Sequence, residues 1–201
     1  MNALGQATEA KSKMTVKTDM SRFDIHDELT APDGSTRILK SVSTAGGSVS
    51  KFIGVLAGSP AALRAYARMR SELRDGLLSR STRERIALAV AERKGDTYSV
   101  AQHSRTAREA GLDMDEISLA RSFKSADPRE QAMLVFLEAT LESEGQPEVH
   151  LHEEAREVGW SDEELLEAVA HLALNEFQSL IANSAALPQD QVGTEPLPTA
   201  A

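Results

Sequence analysis

Residues 84–112 read ERIALAVAERKGDTYSVAQHSRTAREAGL, and the fold can be worked out from this stretch. Its first half holds the unbroken apolar run Ile86-Ala87-Leu88-Ala89-Val90-Ala91. Asp96 or Thr97 caps the helix that follows, and Gly111 ends it. Two helices joined by a tight turn follow, the first apolar over much of its circumference and therefore destined for a core or a subunit contact.

The same punctuation runs outward in both directions. Ser59-Pro60 opens a helix that Gly76 stops. Ser81-Thr82-Arg83-Glu84 reads as a capping box ahead of the apolar run. A short helix is expected near 114–122. Asp127-Pro128-Arg129-Glu130 opens another that turns Met133, Phe136 and Leu137 inward and closes at Gly145. A polar helix spans about 148–158, and Ser161-Asp162-Glu163-Glu164 is a further capping box opening a helix to about Ala182. Residues 21–50, broken by Pro32, Gly34 and Gly46-Gly47, read as an extended arm and loop. Alternation of β-branched and aromatic residues is absent, so the fold class is all-α, an antiparallel helical bundle with an N-terminal extended arm. The organisation expected is a polar leader over 1–20, one domain over 21–187, and a loose tail over 188–201. Met14 and Met20 are alternative starts.

Composition narrows the function. The chain has 201 residues, 41% of them hydrophobic, with a formal net charge of −9. That charge disfavours a partner read through its phosphates, nucleic acid or anionic membrane alike. No apolar run is long enough to span a bilayer, and the first twenty residues lack the apolar centre of a secretion signal, so a cytoplasmic protein is expected. There is no cysteine, which excludes disulfides, thiolate metal sites and cysteine nucleophiles. Two helices apolar over much of their surface in so short a chain imply a homo-oligomer.

The chemistry concentrates between Glu84 and His103. Asp96 to Ser99 open a helix, where free N–H groups and the helix dipole favour negative charge. His103 stands four residues after Ser99, on the same face one turn on. Glu84 comes from the preceding helix. It is either the third residue of a capping box or a proton acceptor for His103. Asp96 is either a plain cap or a group that binds a cationic or hydrogen-bond-donating part of a substrate or helps hold a metal ion. Asp96 and His103 lie about 10 Å apart along a helix, too far for a triad with Ser99, and no glycine-rich turn offers an oxyanion hole. His150 and His152 point to different faces and make a poor metal pair. Glu167 and His171, at i and i+4, read as a surface pair.

The pattern Glu84-x11-Asp96-x-Tyr98-Ser99-x3-His103 resembles the active-site pattern of the alkylhydroperoxidase D and carboxymuconolactone decarboxylase superfamily, Glu-x11-Cys-x-[Tyr/His]-Cys-x3-His. The likeness extends over about residues 22–187, through RFDIHDELTAPDGSTRILKSV, KFIGVLAGSPAALRAYARMRSELRDGLLS and WSDEELLEAVAHLALNEFQSLIANSAA, the last with Leu174-Asn175-Glu176-Phe177. It implies an AhpD-like helical domain, a small-molecule pocket, and assemblies from dimer to hexamer. It also implies that Asp96 and Ser99 stand where the redox cysteines do. Neither can attack a peroxide or resolve a sulfenic acid, so thiol peroxidase activity is not expected. What remains is acid–base chemistry on a small organic acid or lactone, with His103, Glu84 and Tyr98 as catalytic groups and Asp96 and Ser99 contacting substrate. Neither metal nor cofactor is called for. The alternative is a non-catalytic ligand-binding or structural member of the family.

Overall fold

The computed structural model describes residues 21–44 and 49–190, and among these every regular element is an α-helix. The expected leader over 1–20, the Gly46-Gly47 pair and the tail from 191 onward lie outside the described residues. In chain order the helices are α1 (Asp33–Thr44), α2 (Lys51–Leu56), α3 (Pro60–Arg74), α4 (Arg80–Arg93), α5 (Thr97–Glu109), α6 (Met114–Ala120), α7 (Pro128–Glu142), α8 (Val149–Glu157) and α9 (Asp162–Ala185).

Local chemistry accounts for most of the boundaries. Ser59, Asp96, Asp113, Asp127 and Ser161 each accept a backbone N–H two or three residues on, and Ser161 forms the reciprocal capping box with Glu164. Two boundaries differ from the sequence expectation. The arm is not extended throughout, because α1 occupies Asp33–Thr44. Pro32 and Gly34 stand at the start of that helix, where neither breaks it, while Leu39 and Ser35 turn into the protein fully buried. The extended part is confined to the residues before it, where the His26 N–H donates to Gly54 O at 3.0 Å. The capping box assigned to Ser81 is also displaced. Ser79 is the cap, accepting Thr82 N–H at 3.1 Å, so the helix starts earlier and Glu84 is released from capping.

α4 is the centre of the fold. All six residues from Ile86 to Ala91 are buried, which is why the run shows no polar stripe. On one side Ile86, Ala89 and Val90 join Met133, Leu134 and Leu137 of α7 with Leu165, Ala168 and Leu172 of α9. On another, Leu88 packs with Ala107 of α5 and Ile117 and Ala120 of α6. A third cluster brings Leu39, Phe52, Leu63 and Tyr66 against Tyr98 and the distal half of α9. Each fully buried leucine contributes roughly 1.5–3 kcal/mol.

The turn entering α4 is held from a distance. Both Glu167 oxygens on α9 accept backbone N–H groups, from Leu77 at 2.7 Å and Leu78 at 3.0 Å. His171 is therefore buried and Glu167 half-buried, 3.7 Å apart, and the two are not a surface pair. Burial lowers the His171 pKa against the opposing pull of Glu167. A Cβ on Gly76 would overlap the Glu167 carboxylate, which its two N–H bonds stop from swinging away. Gly76→Ala is expected to cost about 1–3 kcal/mol, read as a melting temperature lower by about 2–12 °C. An unchanged melting temperature would mean that Glu167 does not fix this turn.

Candidate functional site

α4 and α5 lie side by side, and their pairing brings Glu84 to His103. Glu84 Oε2 is 2.8 Å from His103 Nδ1 and accepts the Thr106 hydroxyl at 2.6 Å. Both side chains are mostly buried, at 15% and 19% exposure, which still leaves them within reach of solvent. Burial opposes ionisation of Glu84. The hydrogen bond and charge of His103, the Thr106 hydroxyl and the charge of Arg80 outweigh it, and the carboxyl titrates below the ordinary glutamate range.

The other ring nitrogen faces inward. His103 Nε2 is 3.2 Å from Gln178 Nε2 on α9, and the same amide nitrogen donates to Ser99 Oγ at 3.2 Å. Gln178 Oε1 accepts the Tyr66 hydroxyl of α3 at 3.0 Å. Ser99 and His103, one turn apart on α5, are thus bridged by a residue from a third helix. Gln178, Tyr66 and Thr106 were not singled out in the sequence. The sequence offered little signal for Gln178, which stands among other polar residues of that helix such as Asn175, Glu176 and Ser179.

Asp96 and Ser99 are buried, each at 1% exposure. Asp96 Oδ1 caps α5 by accepting Ser99 N–H at 3.0 Å, while Oδ2 has no hydrogen-bond partner. Tyr98 turns the other way. Its hydroxyl donates to Asp190 Oδ2 at 2.6 Å and lies 3.4 Å from Phe52 N. Burial and the Asp190 carboxylate push its pKa well up. Asp190 also accepts from Gln102 Nε2 at 2.8 Å and Lys51 N at 3.2 Å, so the first residues after α9 are held across the outer face of α5. The arrangement brings together Glu84, His103 and Ser99. It directs the Tyr98 hydroxyl to the Asp190 cluster instead.

Such a site can move a proton. It has a carboxylate to orient and charge-balance an imidazole, and it has no thiol. Among the described residues no grouping of three or more His, Asp or Glu is placed to hold a metal ion. His150 and His152 pair separately, with Glu148 at 3.2 Å and Asp162 at 3.1 Å. Two surface hollows lie away from this cluster. One, beside Trp160 and Arg156, is open. The other, of about 290 Å³, is lined by Phe136, His152, Leu165 and Leu166. Neither contains a residue of the Glu84–His103 cluster, and the chemistry of the side chains is the better guide to a site here.

Residues 60–142, from the start of α3 through α7, match the carboxymuconolactone decarboxylase family. Over that stretch the chain is similar to carboxymuconolactone decarboxylases. The fold agrees with solved structures. The AhpD core of an uncharacterised peroxidase-related protein from Ralstonia eutropha is 24% identical, covering 86% of this chain and 93% of that one, with a TM-score of 0.73. An uncharacterised peroxidase-related protein from a Silicibacter species is 18% identical, covering 87% and 93%, with a TM-score of 0.72. A debrominase in complex with 2,3,4-tribromopyrrole is 17% identical, covering 75% and 82%, with a TM-score of 0.62. No curated protein matches the sequence. No helix among the described residues is long and apolar enough to cross a membrane.

Proposed function

We propose that this protein is a member of the alkylhydroperoxidase D and carboxymuconolactone decarboxylase superfamily and carries out thiol-free acid–base chemistry on a small organic acid or lactone, with His103 as the proton carrier and Glu84 as its partner. One observation carries the reading. Glu84 and His103 meet at 2.8 Å in a chain that holds no cysteine. In the family pattern the redox thiols fall at Asp96 and Ser99, and here one caps a helix while the other accepts an amide N–H. A peroxide cycle has no sulfur to run on, whereas proton transfer needs only the imidazole and its carboxylate. Tyr98, tied to Asp190, drops from the catalytic set to a structural contact in this reading.

The test is turnover of a panel of lactone acids and related small acids by the purified protein, with His103→Ala alongside and a peroxide-plus-dithiol reaction as a separate arm. Product formation that depends on His103, with peroxide consumed only at background, is the expected result. Peroxide consumption above background would refute the thiol-free reading. A bound metabolite that is never converted would favour the second reading, a non-catalytic ligand-binding member. The burial of Asp96 and Ser99 favours that alternative, since no solvent-facing group stands at either position.

We also propose that the protein assembles with copies of itself. Leu166 and Leu180 on α9 are 72% and 60% exposed, and with exposed Ala173 they repeat every seven residues along one face. That spacing suits helix-to-helix packing. A monomer mass in sedimentation at micromolar concentration would contradict the proposal.

A further inference from the structure

The amide of Gln178 sits between three groups whose hydrogens must be consistent. Tyr66 is buried and its phenol pKa is raised, chiefly by that burial, so the hydroxyl keeps its proton and donates it to Gln178 Oε1. With the oxygen engaged there, both amide hydrogens lie on the opposite side, toward Ser99 Oγ and His103 Nε2. Two donors cannot share one hydrogen bond, so this orientation requires a bare lone pair on Nε2. The neutral ring then carries its proton on Nδ1, directed at Glu84 Oε2. The reversed amide would present Oε1 to Nε2. That suits a ring protonated at Nε2, but it takes away the acceptor of the Tyr66 hydroxyl proton and turns an amide N–H toward a Tyr66 oxygen that Arg70 already bonds. The two amide orientations correspond to two protonation states of one histidine.

We infer that Gln178 is a positioning residue for His103: its carboxamide, turned by Tyr66, keeps Nε2 as the bare acceptor and must turn over before that nitrogen can carry a proton. The other charged groups around the ring come from α4, where Glu84 is in contact and Arg80 acts on Glu84 while bonded to Glu109 of α5. On α9, Glu176 is turned to Lys94 at 2.5 Å, which leaves the neutral Gln178 as the contact from that helix. From the segment after α9, Asp190 is occupied by Tyr98, Gln102 and Lys51. The orientation of the Gln178 amide is thus set by Tyr66 and read by His103.

This inference deepens the acid–base reading but is tested by proton occupancy instead of turnover, so the two can fail separately. The ring nitrogens of His103, one of five histidines, are followed by nitrogen-15 NMR across pH and assigned by comparison with H103A. In the wild type the neutral ring is expected to show Nε2 bare and Nδ1 protonated. In Q178E, a carboxylate facing Nε2 should raise the titration midpoint by about one pH unit or more. In Y66F, the amide is free to turn, and the midpoint should rise by about half a unit. Y66F removes a single oxygen, so it keeps the test alive if Q178E does not fold. A proton on Nε2 of the neutral wild-type ring overturns the inference, as does a midpoint that fails to rise in either folded variant. A merely structural Gln178 would change the melting temperature and leave the His103 titration where it was.

Discussion

Arg85→Ala should destabilise this domain by about 3 kcal/mol or more at neutral pH. Arg85 follows Glu84 in sequence but points to another side of α4, into a buried polar cluster. Its Nε donates to Glu116 Oε1 at 2.7 Å, and a terminal nitrogen lies 3.7 Å from Glu130 Oε1. The side chains of Arg85, Glu116 and Glu130 are only 10%, 11% and 10% exposed. Glu116 also takes the Ser125 hydroxyl and Ala126 N–H, and Glu130 takes the Thr82 hydroxyl at 2.7 Å. Glu130 Oε2 has no hydrogen-bond partner. Removing the arginine leaves two enclosed carboxylates without their cation, the costly way to break a buried pair. Against a total stability of about 5–15 kcal/mol, the loss would lower the melting temperature by about 6–12 °C.

The pH dependence provides a check on the cause. Burial raises the Glu130 pKa, so that group contributes stability below its unfolded value, and the contribution is lost as pH rises through the folded one. Burial also opposes ionisation of Glu116, but Ser125, Arg85 and the Ala126 N–H overcome it and the pKa falls. Its contribution is therefore present above the unfolded value and lost on acidification. Without Arg85 both carboxyls move upward, and both can relieve the defect by taking a proton. The deficit of Arg85→Ala should be largest near pH 7.5 and shrink toward pH 4.5 in urea unfolding. A deficit under about 1 kcal/mol at neutral pH, or one equal at both pH values, would show that water already screens this cluster.

The parts of the fold that could be read in the sequence are those whose causes are local. Ser59, Asp96, Asp127 and Ser161 act on N–H groups two or three residues away, so their helices announce themselves. The Glu84–His103 contact was also legible, because one helix pair with a fixed spacing suffices to make it. Other features depend on long-range packing. α1 is stabilised by burying Leu39 and Ser35, with the Ser35 hydroxyl donating to Ala57 O at 2.7 Å, and Pro32 and Gly34 hid it. Gln178 and Asp190 meet their partners across 75 and 92 residues of chain, where no local spacing rule applies. The same limit explains the misplaced cap on α4. Ser79 and Ser81 are equally good caps by chemistry, and the start is decided where Glu167 pins the preceding turn. That displacement bears on the proposed function, since it leaves the Glu84 carboxylate to His103.

His103→Ala should lower kcat by about 10²–10⁴-fold for any substrate that the protein turns over, the usual contribution of a positioned acid–base group. At 1.36 kcal/mol per tenfold, that is about 2.7–5.4 kcal/mol of transition-state stabilisation. Glu84→Gln should lose less. Its amide oxygen can still accept the Nδ1–H and hold the ring, but the negative charge that balances an imidazolium is gone. The two variants should also differ in acid. The lowered Glu84 pKa means that its stabilising contribution is present above its unfolded value and is lost as pH falls through the folded one. Glu84→Gln has no such group to titrate, so its stability should depend less on pH between about 5 and 3. Circular dichroism at the assay temperature separates loss of chemistry from loss of fold. A folded His103→Ala that keeps kcat within about threefold of wild type would remove His103 from the mechanism. If instead the alanine changes ligand affinity and no product forms with either protein, the site binds without turnover, and the Glu84–His103 pair serves to present a polar, charge-balanced face to the ligand.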